Sequence, residues 1–355
     1  MLNLRIFCLM TLAVNMPRCV TWPVIAVALA TALTGCFNSV DPVSEMYGAT
    51  MGSTYSIKWV PSEQSPEPEV LQEEIEAMFA RFDSEASNWR HDSDLARFNA
   101  AAANTCMPMP ESVLDMVRLS DHLYSDSEGS FDITVAPLLK LWGFHGGEQH
   151  QVPDPEQLQQ VMAEVGQQHL HIDANNQLCK DVALTLDISS VGAGYMVDRV
   201  VERLATYDVT NYMVEITGEL KAAGHKPGNR PWRIAIEEPR DDERVAQMIL
   251  ALDGEGVSTS GDYRNYYEVN GQRFSHTFDA RSGHPVMHKL AAVTVLDESA
   301  AEADGLSTLL MIMGEDTGWD YAVAHEIPAF FVIRKGEAFV SKGTPQFNAL
   351  AKSEE

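Results

Sequence analysis

Apolar and polar side chains alternate strictly in Thr54-Tyr-Ser-Ile-Lys-Trp-Val60, which predicts a strand. From Pro66 to Glu85 the period changes: Val70, Leu71, Ile75, Met78, Phe79 and Phe82 recur at helical spacing, so the domain opens strand then helix. A second helix is predicted from Glu111 to Ser127, after Pro110 and before Gly129, and a third over Pro155 to Val165. The middle reads as strand at Ala183–Ile188, helix from about Ser190 to Ala205 and strand at Tyr212–Thr217, one β-α-β unit. Further strands are predicted at Trp232–Glu237, Gln247–Leu252, Arg264–Val269 with a tight Asn270-Gly271 turn into Gln272–Ser275, and Ala291–Leu296. Ser299-Ala-Ala-Glu302 has capping-box spacing and starts a helix running to Met313, followed by a short helix near Thr317–His325 and a strand at Ala329–Arg334. No Pro- or Gly-rich linker and no internal repeat breaks this order, which argues for one α+β domain.

The N-terminus follows a different pattern. Every acidic residue lies beyond residue 40, whereas the first 35 residues carry only Arg5 and Arg18 as charges, so this is a targeting segment. Its apolar stretch Trp22–Thr34 is short for a span and ends in Leu33-Thr34-Gly35-Cys36, which resembles a bacterial lipobox with Cys36 as the lipidated residue. An ordinary secretory signal or an uncleaved anchor is the alternative. The expected division is a signal peptide over 1–35, a lipidated tether over 36–48 and a catalytic domain over 49–350. Two acyl chains would hold the protein at a membrane surface without a spanning helix.

Charge narrows the partners. With 25 Lys plus Arg against 51 Asp plus Glu the formal net charge is −26, and the field of such a protein repels phosphate backbones, so nucleic acid is excluded as a partner. Loss of residues 1–35 takes the charge to about −28. Of the five cysteines, Cys8 and Cys19 leave with the signal and Cys36 would be lipidated. Cys106 and Cys179 remain, and sequence separation alone leaves their pairing open.

The chain contains no P-loop, zincin, Cys-x-x-Cys or Gly-x-Ser-x-Gly signature. His169 and His171 alternate on a predicted strand and share a face, as metal ligands or as solvent-facing residues. Asp304, Ser307 and Thr308 fall on one face of the predicted helix after Ser299. A carboxylate with two hydroxyls suits a hard cation such as Mg²⁺, and ordinary back-bonding by Ser and Thr is the plain alternative. Asp187, Ser190, Gly192 and Gly194 lie where a predicted strand enters a helix, so Asp187 could accept from a base or ribose while the glycines let a ligand approach the backbone. Helix capping by Ser189 or Ser190 is the alternative. His276, three residues before Asp279, is a candidate general base or a hydrogen-bonded loop histidine.

Taken together, the ordered blocks Met51-Gly-Ser-Thr-Tyr55, Asp94-Leu-Ala-Arg-Phe-Asn99, Gly129-Ser-Phe-Asp-Ile-Thr134, Asp187–Tyr195, Ser258–Tyr263, His276–Gly283 and Ala303-Asp-Gly-Leu-Ser-Thr308 resemble the ApbE family of FAD:protein FMN transferases from about Gly48 to Phe347. The resemblance implies a single domain of mixed, largely antiparallel sheet with flanking helices. It implies FAD contacts at Met51, Trp89, Ser130, Phe131, Asp132, Asp187, Ala193 and Phe278, and Mg²⁺ held by Asp304 and Thr308 with Ser190 contributing. Ala193 replaces a Lys or Glu often found in the glycine block, and Ala280-Arg281-Ser282 replaces the commoner Pro-x-Thr. Met51, Phe131 and Phe278 serve equally well as core residues.

The implied reaction is Mg²⁺-dependent transfer of FMN from FAD to a Thr or Ser hydroxyl of an acceptor protein with release of AMP. His276 is expected to take the hydroxyl proton, with Asp279 orienting or substituting for it. The implied acceptors are subunits of sodium-translocating NADH:quinone oxidoreductase or Rnf-type complexes, which places the lipoprotein on the periplasmic side of a bacterial cell membrane, the inner one favoured. Two other activities fit the same residues: a Mg²⁺-dependent FAD pyrophosphatase giving FMN and AMP, and a non-enzymatic FAD-binding lipoprotein.

Overall fold

The computed structural model describes residues 43–144, 152–240, 245–263, 265–336 and 338–352. The expected signal peptide, Cys36 and the first part of the tether lie outside them. Among the described residues no helix is long and apolar enough to cross a membrane.

The continuous run Leu290-Ala-Ala-Val-Thr-Val-Leu296 is buried along its whole length because both of its faces are covered. It belongs to an eight-stranded antiparallel sheet made of β1 (Ser44–Thr50), β2 (Ser53–Trp59), β3 (Tyr212–Ile216), β4 (Glu219–Ala223), β5 (Gly256–Gly261), β6 (Leu290–Asp297), β7 (Ala329–Lys335) and β8 (Ala338–Gly343), neighbours in that order. Val293 and Val295 of β6 meet one face layer, whereas Ala292 and Leu296 meet the other, as a two-residue period requires. β1 begins at Ser44, inside the stretch expected to be tether, and Met46 buries against the core.

Four helices shape the site: α1 (Pro68–Ala86), α2 (Glu111–Asp126), α3 (Gly192–Ala205) and α4 (Ala300–Ala324). α1 starts on Pro68 and buries Leu71, Ile75, Phe79 and Phe82, the periodic positions of the sequence. α4 packs on β5, β6 and α3. The opposite face of the sheet carries a small sheet in which Arg230–Glu237 lies between Ala246–Leu252 and His225–Lys226, with Trp232 and Ile236 packed on Val257 and Leu296.

Three expectations change. Ala183–Ile188 is not a strand, so there is no β-α-β unit. The Asn99 amide accepts from the Leu186 N–H (2.9 Å) and donates to its carbonyl (3.0 Å), and the Asp187 N–H bonds to the Ile133 carbonyl (2.6 Å). Side chains and a loop thus satisfy a backbone that a neighbouring strand would otherwise pair. The two helices expected at Ser299–Met313 and Thr317–His325 run as one element, broken at Gly314 (φ 80°), where a Cβ would lie 2.7 Å from the His288 ring. Ser299 does cap α4, accepting from the Glu302 N–H (3.2 Å), but the reciprocal half of the box is absent. Asp297 accepts the Ser299 N–H instead (2.8 Å), and Glu302 pairs with His122 (3.2 Å). Asp198 of α3 adds bonds to the Ala300 and Ala301 N–H groups, both at 3.1 Å.

Cys106 and Cys179 lie opposite each other on paired strands with Cα atoms 4.0 Å apart and form a disulfide.

A Cβ on Gly194 would sit 2.2 Å from the Ala300 carbonyl oxygen and 2.8 Å from the Ala301 Cα, so the contact between α3 and α4 depends on this glycine. Gly194→Ala is expected to lower unfolding stability by about 1–3 kcal/mol, the usual scale of overpacking, read from the urea denaturation midpoint. An unchanged midpoint would show that α4 can shift without loss.

Candidate functional site

The cleft beside α4 has a volume of about 360 Å³ and brings together groups from six separate segments of the chain. Asp304 and Thr308, one turn apart on α4, line it. Asp304 is buried, and its Oδ2 accepts the Gly194 N–H at 3.0 Å. Ser307, which the sequence grouped with them, faces inward: its hydroxyl bonds to Ser258 (3.1 Å) and Ser260 (2.9 Å) and donates to the Asp304 carbonyl (3.0 Å). It locks α4 to β5 and contributes nothing to the cleft wall.

Ser190, ahead of α3, and Glu219, at the start of β4, complete the oxygen-bearing lining near Asp304. Glu219 was missed in the sequence, where the predicted strand stopped at Thr217. The signal was a lone carboxylate after the Thr217-Gly218 turn, and only tertiary structure reveals its proximity to Asp304. Burial and the Glu219 charge push the Asp304 carboxyl well above the usual carboxylate range. Burial likewise pushes Glu219 up to about 7, partly offset by its hydrogen bonds. Two neighbouring carboxylates, Asp304 buried and Glu219 half-buried, form with the hydroxyls an oxygen-only donor set that fits Mg²⁺.

His276 lines the same cleft. Its Nδ1 and its backbone N–H both donate to the Asn265 carbonyl, at 3.1 and 3.3 Å. A carbonyl only accepts, so in the neutral ring the proton sits on Nδ1 and the basic lone pair on Nε2. Asp279 does not perform the orienting role expected of it. Its carboxylate binds the Arg281 guanidinium at 3.0 and 2.7 Å and the Arg281 N–H at 3.0 Å, closing the turn between the short strands Phe278–Asp279 and His284–Pro285. Burial raises the Asp279 carboxyl, but those Arg281 contacts outweigh it and hold it below the usual range. The ring is therefore oriented by a main-chain carbonyl.

Phe131 and Phe278 form apolar walls of the cleft and also belong to the core, the role the sequence offered as their plain alternative. Asp132 lines the cleft, yet its oxygens already accept from the Thr134 N–H (2.7 Å) and hydroxyl (2.6 Å) and the Gln167 N–H (2.8 Å). Burial pushes its carboxyl up in spite of these bonds. Ser130 is buried behind the wall, its carbonyl holding the Ala280 N–H at 3.1 Å. Asp187 accepts from the Ser189 N–H (2.8 Å) and hydroxyl (2.5 Å) in an Asx-turn that leads into α3. Neither Ser189 nor Ser190 caps that helix. Gly194 admits α4 rather than a ligand.

Met51, Trp89 and Ala193 line a second cleft of about 370 Å³, which shares Ser189 with the first. Met51 and Gly52 form the two-residue β1–β2 turn with φ of 49° and 76°, a left-handed conformation that costs Met51 energy and sets it beside Gly192. Trp89 is 73% exposed there. His169 and His171 join no metal-capable cluster among the described residues; the one found, Cys106, Asp173 and Cys179, is closed by the disulfide.

Fold and lining define the class: an α+β domain with an oxygen-lined cleft where two helices meet the central sheet. Residues 51–331 match the ApbE family. The FAD:protein FMN transferase of Vibrio cholerae is 38% identical over 326 residues, covering 91% of this chain and 97% of that protein. That of Escherichia coli K12 is 35% identical over 342 residues, 92% and 96% respectively. The crystal structure of Pseudomonas stutzeri flavinyl transferase ApbE in its apo form matches with a TM-score of 0.83 at 52% identity, over 88% of this chain and 97% of that one. The chain belongs to the ApbE family.

A divalent cation would need Asp304 and Glu219 ionised, whereas burial in the metal-free fold raises both carboxyls. Groups raised in the fold destabilise the metal-free protein as pH climbs above the ordinary carboxylate range, Glu219 up to about 7. Mg²⁺ is therefore expected to raise the melting temperature more at about pH 8 than at about pH 5.5, and Asp304→Asn to abolish the gain. Scanning calorimetry decides it; an equal gain at both pH values would remove the carboxylates from the metal site.

Proposed function

We propose that this chain is a Mg²⁺-dependent FAD:protein FMN transferase acting on a Thr or Ser hydroxyl of an acceptor protein. The observation that carries this reading is the meeting, in one cleft, of an oxygen donor set with a histidine whose tautomer leaves Nε2 basic. Asp304 and Thr308 would hold Mg²⁺, with Ser190 and Glu219 beside them. When bound, Mg²⁺ supplies neutralising charge for the pyrophosphate of FAD.

The two clefts that share Ser189 suit a ligand with two ends and a charged middle. The start of α3 lies at their junction, where a helix N-terminus favours anions. Trp89 and Met51 offer apolar surface to one ring system, and Phe131 and Phe278 to the other.

In the reaction the acceptor hydroxyl oxygen bonds to the FMN-side phosphorus while its proton passes to His276 Nε2. The bond from that phosphorus to the bridging oxygen breaks, and AMP leaves with the bridging oxygen.

We further propose that Cys36 is lipidated and holds the enzyme at the periplasmic face of the inner membrane. Acceptor subunits of the sodium-translocating NADH:quinone oxidoreductase or Rnf type would meet it there. The Leu33-Thr34-Gly35-Cys36 sequence supports the anchor.

The test uses protein beginning after Cys36, incubated with FAD, Mg²⁺ and such an acceptor, with AMP release and the acceptor's intact mass followed together. Gain of one FMN per AMP is expected, and His276→Ala should slow transfer by about 10²–10⁴-fold with FAD affinity retained. AMP without a mass gain would favour the pyrophosphatase, and FAD binding without AMP the storage protein. Full transfer by His276→Ala would refute the base.

A further inference from the structure

The central sheet has a gap at the reactive cleft. Thr217 and Gly218, with φ of 56° and 117°, turn the chain so that β4 begins only at Glu219, and β4 flanks β5 at Gly256 and Val257 alone. The Gly254 N–H donates to the Ala222 carbonyl (2.8 Å) and the Ala222 N–H to the Glu255 carbonyl (3.3 Å). These bonds set which residues of β5 direct backbone groups towards β4. By the two-residue period they are Val257, then Thr259 and Gly261. The residue that would stand opposite Thr259 is Gly218, which lies in the turn. Among the described residues no strand pairs with Thr259 or Gly261 on that side.

This open edge is a wall common to two cavities. Thr259, Gly261 and Glu219 line the reactive cleft and also a groove of about 500 Å³ on the opposite face of the sheet. The far wall of that groove is the consecutive run from Ile234 to Glu237, and Tyr263 lies within it.

We propose that the acceptor protein docks here by adding an extended segment as a strand beside Thr259 and Gly261. This rests on the transferase reading of the cleft. An unpaired run of backbone donors and acceptors is completed by another extended backbone and by little else, which commits the occupant to a strand rather than a helix. Side chains of such a strand alternate between faces. A Ser or Thr turned towards α4 enters the cleft that holds His276, and the residues on either side of it turn into the groove. Ile234 and Tyr263 suit small or apolar neighbours there, while Glu215 and Glu237 on the groove wall disfavour acidic ones.

The experiment measures transfer to a recombinant acceptor subunit of the sodium-translocating NADH:quinone oxidoreductase type, comparing the unmodified chain with Thr54→Trp and Ile234→Lys. Thr54 is exposed on the groove wall, on the face of its strand opposite to buried Tyr55, so the bulk blocks the groove without entering the core. Both variants should lose about tenfold or more in kcat/KM for the acceptor, with the FAD dissociation constant unchanged as evidence of an intact fold. Ile249→Lys, on the strand beside that of Ile234, 66% exposed and outside the groove, should transfer normally. Normal transfer by both groove variants, or an equal loss in Ile249→Lys, would overturn the docking site. Absence of transfer by the unmodified chain would instead fail the transferase reading, and the docking site with it.

Discussion

The close approach of α3 and α4 at Gly194 is the contact on which the site depends. With a hydrogen in place of a side chain, Gly194 lets the Ala300 backbone come within the space a Cβ would occupy, and its N–H reaches Asp304 Oδ2 at 3.0 Å. One contact therefore fixes three things: the start of α3 at the junction of the two clefts, the depth of Asp304, and the direction in which Thr308 faces. Asp198 reinforces the contact by capping the first turn of α4 from α3. The carboxylate is held by an amide that a main-chain shift would withdraw, so position and charge of the donor set are set together.

Electrostatics adds a second constraint. A chain with formal charge −26 repels a pyrophosphate at long range, and Asp304 and Glu219, once ionised, would deepen that repulsion inside the cleft. Burial makes the same pair costly to ionise, and a divalent cation relieves both problems at once. Acidity of the whole and acidity of the site thus act in the same direction: in the proposed reaction the anionic substrate would be held through a cation and a helix N-terminus.

Much of the fold was legible because its signals were local. The periodicity of α1, the Asn270-Gly271 turn and the Ser299 cap each occupy a few consecutive residues, and the structure has them where the sequence put them. Asp304, Thr308 and His276 were legible through their blocks, and the structure brings them into one cleft. What could not be read depends on distant partners. Ala183–Ile188 has the composition of a strand, but Asn99, more than eighty residues upstream, takes its place in the hydrogen bonding. Glu219 acquires its neighbour only when β4 and α4 meet, and Asp279 was misassigned because proximity in sequence to His276 says nothing of Arg281 two residues further on.

The disulfide shows how support for the site passes through residues that never touch it. Cys106 and Cys179 close a sequence separation of 73 residues, which restricts the unfolded chain by about 4 kcal/mol in the loop-entropy picture. The strand carrying Cys179 also carries Lys180, buried, whose ammonium donates to the Asn99 and Leu184 carbonyls at 3.1 Å each. Asn99 in turn holds Leu186 through both of its backbone groups, next to Asp187 in the cleft wall. Among the described residues the segment has no strand partner, and this line from disulfide to lysine to asparagine holds it together with the Ile133 carbonyl. Burial lowers the Lys180 ammonium from its usual range, and its two carbonyl partners with the Phe98 ring 5.0 Å away compensate its charge. A cross-link at one edge of the domain is thereby coupled to the loop that separates the two clefts.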